Sequence, residues 1–330
     1  MKLLITGGAG YCGSVLTPQL LDLGYEVTIY DILFYGTHLP THPRLKIVQG
    51  DVRDTARFSE AVQGCDAVLH LACISNDASF ELDERLSTTV NLDAFEPIVL
   101  AAKAAGVRRF VYASSSSVYG VSESPDVTED HPLVPLTLYN KFKGMCEPLL
   151  KRHTSADFTG VIFRPATVCG YSPRLRLDLS VNILTNHAIQ NNRITVFGGS
   201  QMRPNLHIQD YADLCKLLLT APAELVQNET FNCGYQNMSI MDIAQIVKSV
   251  VSEEFPGRPE IDVVVTPSDD IRSYHINSDK IKRVLDFAPR YSIERAVRDL
   301  CTAFKADKVP GAMTDDIYYN VRRMKAQSLL

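Results

Sequence analysis

Short apolar runs alternate along the chain with longer stretches in which apolar positions recur every three or four residues. Residues 2–6, 26–30, 45–49, 67–71, 109–113 and 158–163 are of the first kind and predict strands. Residues 11–23, 55–62, 87–105 and 137–153 are of the second kind and predict helices. Gly24 and Gly106 supply stops. Pro97 lies inside the third helix, and Pro148 kinks the fourth or marks an early end. A parallel neighbour strand needs a crossover, and helices of this length provide one. The expected fold is therefore a Rossmann-type, doubly wound parallel α/β sheet.

After Val168 the rhythm changes. Proline, arginine and glycine cluster at 170–176 and 198–204, between predicted elements, as binding loops do. Helices are expected at 210–219, 241–250, 279–285 and 293–304, and strands at 230–232 and 261–265. This part reads as a smaller α/β lobe that shares elements with the first. The segment from Met313, with Tyr318-Tyr319 and Arg322-Arg323, reads equally as a docking tail or a frayed end.

The 330 residues are 45% hydrophobic and 22% charged, which excludes wholesale disorder. A chain this long can bury a large core without a metal or disulfide. A net charge of −5 argues against general nucleic-acid binding and against a basic membrane surface. No apolar run approaches the ~18 residues of a membrane helix. Leu3-Leu4-Ile5 is shorter than a secretion-signal core of roughly 7–15 residues. A cytoplasmic protein with reduced thiols is the expectation, and the eight scattered cysteines contain no C-x-x-C pair. The eight histidines show no metal-ligand spacing, so no metal site is expected.

The first strand runs into Gly7-Gly8-Ala9-Gly10-Tyr11-Cys12-Gly13 and then a helix. Gly8, Gly10 and Gly13 match G-x-G-x-x-G. Such a turn must be tight, must let a pyrophosphate touch the backbone, and must pack the helix against the strand. The helix start adds amide donors and a positive dipole. Asp31 ends the second strand, 18 residues beyond Gly13, where it can accept hydrogen bonds from the ribose hydroxyls of NAD. It would repel the extra phosphate of NADP, and no arginine sits beside it in sequence.

Tyr139 and Lys143 are four apart on a predicted helix, within about 6 Å at Cβ. A free phenol titrates near about 10 and is a poor base at neutral pH. A neighbouring ammonium, helped by an oxidised nicotinamide, favours the phenolate. The run from Tyr112 to Gly120 leaves the fifth strand with four serines, one of which can share a substrate proton with Tyr139. His70 and Cys73, at the fourth strand end, read as buried residues. Asn91 reads as a helix-start residue or a neighbour of the cofactor region.

With these motifs in view, the chain resembles the extended short-chain dehydrogenase/reductases of the NAD-dependent nucleotide-sugar epimerase/dehydratase family, over nearly its whole length. The T-G-x-x-G-x-x-G pattern spans 6–13, the adenine-contacting pair resembles Asp51-Val52, and R-P-x-x-V-x-G spans 164–170. The resemblance implies catalysis by Tyr139, Lys143 and Ser115. It places Gly7, Gly10, Tyr11, Cys12 and Gly13 on the cofactor, with Asp31, Leu71, Ala72, Cys73 and Arg164. It implies substrate contacts from Ser116, Ser117, Thr167, Arg174, Arg176 and Asn182. Arg203, in Gln201-Met202-Arg203-Pro204, and Arg272, after Asp270, are implied grips for a nucleotide diphosphate.

The implied division is an NAD-binding domain of residues 1–168 with about 207–232, a nucleotide-sugar lobe of 169–206 with 233–312, and a tail of 313–330. Two departures bear on the reaction. Family 4,6-dehydratases carry an acid pair where this chain has Ser116 and Ser117, so that elimination lacks its usual agents. Many epimerases carry asparagine where Thr167 stands. Residues 172–178 resemble a subgroup handling GDP-heptoses, some members of which oxidise C4 without epimerising. The leading expectation is an epimerase working by transient oxidation at C4, with a net 4-dehydrogenase as the alternative. A redox-silent NAD-binding protein and a hydroxysteroid-type dehydrogenase are the other classes weighed. Retention of the Tyr/Lys pair and the lobe arginines argue against them. The resemblance also implies a homodimer through helices at 87–105 and 137–153.

Overall fold

The computed structural model describes residues 1–268 and 272–327. Strands β1 (Lys2–Thr6), β2 (Glu26–Asp31), β3 (Leu45–Gln49), β4 (Ala67–His70), β5 (Arg109–Ala113), β6 (Thr159–Pro165) and β7 (Thr230–Cys233) form one sheet. Its order is β7-β6-β5-β4-β1-β2-β3, every pair parallel, as the alternation of strands and helices requires. The chain winds outward from β1 in one direction, then restarts at β4 on the other side. That reversal opens a crevice beyond the carboxyl ends of β1 and β4.

The strands are apolar on both faces because helices cover both. Leu3 and Ile5 enter one core with Leu16, Leu20, Leu214 and Leu218. Leu4 enters the other with Phe58, Phe95, Ile98 and Leu150. Each fully buried side chain of this kind contributes roughly 1.5–3 kcal/mol, so two-sided burial holds both helical layers. At the end of β4, His70 Nδ1 lies 2.8 Å from Thr6 Oγ1. Burial pushes the ring's pKa down to about 3, with Lys143 adding to the effect, so it is neutral at physiological pH.

The predicted helix at 87–105 is broken in two. It starts at Glu84, capped by the Asp83 carboxylate, passes a π-turn at Thr89–Asp93 and resumes at Phe95–Ala104. The extra residue swings Asn91 onto the loop after β4, where its amide accepts from Ile74 N at 2.8 Å and donates to Ile74 O at 2.9 Å. Asn91 is thus neither a helix start nor a wall of the cavity. Pro97 falls in the first turn of the resumed helix, where no amide donor is needed. Pro148 does not end the helix Leu138–His153; the carbonyl it leaves without a partner is that of Gly144.

The second half holds more structure than its sequence pattern suggests. A third core gathers around helices Ser180–Asn191, Ile240–Glu254 and Ile293–Lys305. Arg193–Phe197 pairs with Asp262–Thr266. Gln236–Ser239, Met202–His207 and Thr167–Cys169 form a three-stranded sheet, so part of the expected loop at 198–204 is strand. The segment after Met313 is folded as far as it is described, with a short helix at Asn320–Ala326. No helix among the described residues is long and apolar enough to cross a membrane.

Arg164, expected on the cofactor, is in the interior instead. It alternates with Phe163 along β6 and so faces the helix Leu138–His153. Its Nε and Nη2 donate to the two carboxylate oxygens of Glu147 at 2.9 and 2.6 Å, and Nη1 donates to Tyr119 Oη. Glu147 also accepts from Ser114 Oγ at 2.6 Å. Both partners are 5% exposed or less. Glu147→Ala should strand the guanidinium and destabilise the fold by about 3–5 kcal/mol in urea titration. A loss below about 1 kcal/mol would show that the pair does not hold helix and sheet together.

Candidate active site

A cavity of about 480 Å³ follows the carboxyl edge of the sheet, inside the range of about 300–1,000 Å³ common for ligand sites. The turn between β1 and the helix Gly13–Asp22 forms one wall. Gly7 (φ +69°) takes a left-handed conformation, and a Cβ there would lie 2.7 Å from the Ala72 backbone. A Cβ on Gly13 would lie 2.2 Å from Gly8 O. Gly7, Gly10, Tyr11, Cys12 and Gly13 all line the cavity. Gly8 backs onto the Ile29 side chain instead, so the glycines of this turn that face the cavity are 7, 10 and 13.

Asp31 stands at the end of β2 and also lines the cavity. Its carboxylate accepts from Ala9 N at 3.0 Å and Leu33 N at 2.8 Å. Burial raises its pKa, and those two amides work against the rise. No arginine neighbours it in sequence, but the fold brings the positive charge of Arg174 within reach of it. Asp51 and Val52 line the wall after β3, and Leu71, Ala72 and Cys73 the wall after β4. Against the upward push of burial, Arg53 holds Asp51 below the ordinary carboxylate range, with Nη2 2.6 Å from Oδ2. A bare glycine turn at a helix start, a carboxylate at the end of β2 and an apolar trough beyond β3 and β4 fit a dinucleotide such as NAD.

The other half of the cavity holds Ser115, Ser116, Ser117, Tyr139 and Lys143. Ser115 Oγ lies 2.7 Å from Ser117 Oγ, which donates a short hydrogen bond to Asn140 Oδ1. Asn140 therefore ties the serine run to the helix that bears Tyr139. Lys143 Nζ donates to Ala113 O at 2.7 Å and sits over the Tyr112 ring. In the chain alone, burial, then Cys73 and Asp77, push Tyr139 well above its ordinary value, and Arg176 works against them.

Thr167, Arg174, Arg176, Arg203 and Arg272 reach the same cavity from the second half of the chain. Arg176 pairs with Asp178 at 2.9 Å and donates to Ser75 Oγ at 3.0 Å. Arg272 Nη1 pairs with Asp77 at 2.6 Å, and Arg203 donates to the Arg272 carbonyl. Asp270, its expected motif partner, lies outside the described residues. Asn182, expected on the substrate, does not line the cavity. It is fully buried and braces the loop: its Oδ1 accepts from Gly170 N at 3.0 Å, and its Nδ2 donates to Arg176 O at 2.8 Å.

Asp77, Asn140, Tyr35 and Asn320 also line the cavity and had no motif to announce them. Among the cysteines, Cys12 and Cys73 line it, and the other six are buried in the cores.

The family model described as the NAD dependent epimerase/dehydratase family matches residues 3–234. The chain is 27% identical over 332 residues to a UDP-glucose 4-epimerase of Lactobacillus helveticus, across 93% of this chain and 97% of that one. It shares its fold with a solved dTDP-glucose 4,6-dehydratase of Streptomyces venezuelae with NAD bound. The TM-score is 0.82 at 24% identity, across 96% of this chain and 100% of the other. A UDP-glucose 4-epimerase of Thermotoga maritima gives the same TM-score, 0.82, at 21% identity, across 93% and 99%. With its glycine turn, Asp31 and the Tyr139/Lys143 helix inside the matched segment, the chain belongs to the NAD-dependent epimerase/dehydratase family of enzymes.

Proposed function

We propose that the chain is a nucleotide-sugar epimerase that oxidises its sugar transiently at C4. The observation that carries this reading is one continuous cavity. Its glycine turn and Asp31 suit a dinucleotide, and its other half joins Tyr139 and Ser115 to Arg203 and Arg272. Bound NAD supplies the hydride acceptor and donor, and its oxidised ring adds positive charge beside Tyr139. Tyr139 Oη takes the proton from the C4 hydroxyl and later returns one. Ser115 Oγ orients that hydroxyl, and Ser117 and Asn140 fix the Ser115 rotamer. Lys143, anchored on Ala113 O, holds the nicotinamide ribose. Arg203 and Arg272 clamp the substrate diphosphate, with Asp77 setting the position of Arg272. Thr167, in a strand of the three-stranded sheet, faces the sugar.

Serines at 116 and 117, with the nearby Asp77 committed to Arg272 and Thr137, support epimerisation over 4,6-elimination. The likeness to UDP-glucose 4-epimerases supports it too. We also read the protein as a homodimer, formed through Phe95–Ala104 and Leu138–His153. These helices leave Leu100 and Met145 exposed at 47% and 42%.

The phenolate is the active form, so turnover should be present above the Tyr139 pKa of the loaded enzyme and fall as pH drops through it. Arg176→Met removes a cation that lowers this pKa, and should move the limb of the pH–rate profile to higher pH. Tyr139→Phe should cost about 10²–10⁴-fold in kcat while NAD still binds; retained turnover would overturn the assignment.

Incubation with a panel of UDP-, GDP-, CDP- and dTDP-sugars and substoichiometric NAD tests the reaction type. Many products per NAD are expected. Product capped at one per NAD, with NADH accumulating, would replace the epimerase by a 4-dehydrogenase. Light scattering should give twice the chain mass, and Leu100→Glu with Met145→Glu should return the monomer mass; a monomeric wild type would refute the dimer.

A further inference from the structure

Arg174 is 2% exposed and lines the cavity. Its guanidinium lies 3.7 Å from the centroid of the Tyr35 ring. Nη2 donates to Asn320 Oδ1 at 2.7 Å. Nε and Nη1 are buried and have no acceptor among the described residues. A buried, charged donor without an acceptor is costly, and folded proteins rarely leave two on one side chain. Burial, and then the like charge of Arg176, push its pKa down to about 10, so it still carries its charge at neutral pH. The nearest candidate counter-ion, Asp178, is taken by Arg176 and by Asn320 N, the latter at 3.0 Å.

The direction in which Arg174 acts is legible from its neighbours. Its field reaches Asp31 and Tyr35, just past β2. Arg176, two residues on, acts on both Tyr35 and Tyr139. Arg203 packs on the Tyr274 ring and Arg272 pairs with Asp77. Arg174 itself rests on Tyr35 and acts on Asp31, and so stands at the part of the cavity that those two residues line. Among the described residues its only side-chain hydrogen bond goes to the C-terminal helix Asn320–Ala326. That helix also reaches Ser75 through Asn320 Nδ2 at 3.1 Å, and the loop after β2 through Arg323 and Phe34 O at 3.3 Å.

We propose that Arg174 donates to phosphate oxygens of the dinucleotide cofactor, not to the sugar substrate, and that Asn320 of the C-terminal helix holds it in place. The proposal rests on reading this end of the cavity as the NAD site. It moves Arg174 from the substrate to the cofactor and makes the C-terminal segment part of cofactor retention. An oxyanion there completes the two open donors with charge-assisted bonds, and the planar fork of arginine suits it.

The test is calorimetric titration of the full chain with NAD, NADP, ADP and AMP, and separately with UDP, dTDP, GDP and CDP. Arg174→Met should weaken NAD and ADP by about tenfold or more, which is about 1.4 kcal/mol. It should leave whichever nucleoside diphosphate binds the substrate half unchanged, and should not lower the Tm of the protein alone. Arg174→Lys should recover part of the loss. Asn320→Ala should weaken NAD by a smaller factor. A loss for NAD and ADP larger than for AMP assigns the contact to the pyrophosphate. A loss confined to NADP, with NAD unchanged, overturns the proposal. Unchanged cofactor affinity in a folded Arg174→Met protein overturns the proposal. So does a loss of nucleoside diphosphate with NAD retained. A wild type that binds NAD but converts no sugar would instead count against the proposed reaction and leave Arg174 where it is placed here.

Discussion

Two nearly dry charges, Glu147 and Arg164, set where the helix Leu138–His153 lies on the sheet, and most of the catalytic half depends on that placement. The carboxylate sits one turn beyond Lys143 and two beyond Tyr139. It accepts both prongs of Arg164 from β6 and the hydroxyl of Ser114 from the exit of β5. Arg164 in turn donates to Tyr119, which donates to Asn232 on β7. One charged pair thus joins three strands, the serine run and the helix. Burying it is expensive, and its two-pronged geometry with further hydrogen bonds offsets the cost.

Four arginines of the second half line the cavity: Arg174, Arg176, Arg203 and Arg272. Arg174 acts on Asp31 and Tyr35, and Arg176 on Tyr35 and Tyr139. Three of them lean on acceptors of the chain itself: Asp178, Asp77 and the Arg272 carbonyl. Arg174 differs in resting on an aromatic ring and a neutral amide. The phenol of Tyr139 lies under opposing influences, with burial, Cys73 and Asp77 raising its pKa and Arg176 lowering it. Within the chain the influences that keep this phenol protonated prevail.

Much of the first half was legible because its strands need no partner to be recognised. Short runs such as Leu3-Leu4-Ile5 are apolar on both faces, and that pattern belongs to a parallel sheet covered twice. Two of the later strands escaped because they are polar. Met202–His207 and Gln236–Ser239 carry arginine, asparagine and glutamine, and pairing with each other, and of Met202–His207 with Thr167–Cys169, satisfies their backbones. The helix Ser180–Asn191 was hidden for a related reason: Asn182, Thr185 and Asn186 look solvent-facing and are fully buried. Polar residues that bury by finding partners defeat a reading based on hydrophobic period.

The sequence by itself determined the parallel sheet, the glycine turn, Asp31 at the end of β2 and the Tyr139/Lys143 spacing. Each of these is a local rule about backbone room, strand burial or helical period. Tertiary structure alone decided which face of β6 Arg164 shows, that Arg174 rests on Tyr35 and Asn320, and that Asp77 meets Arg272 across 195 residues. Such pairings join segments remote in sequence. Their free energy comes from burial and from charges whose neighbours exist only after the chain has closed on itself.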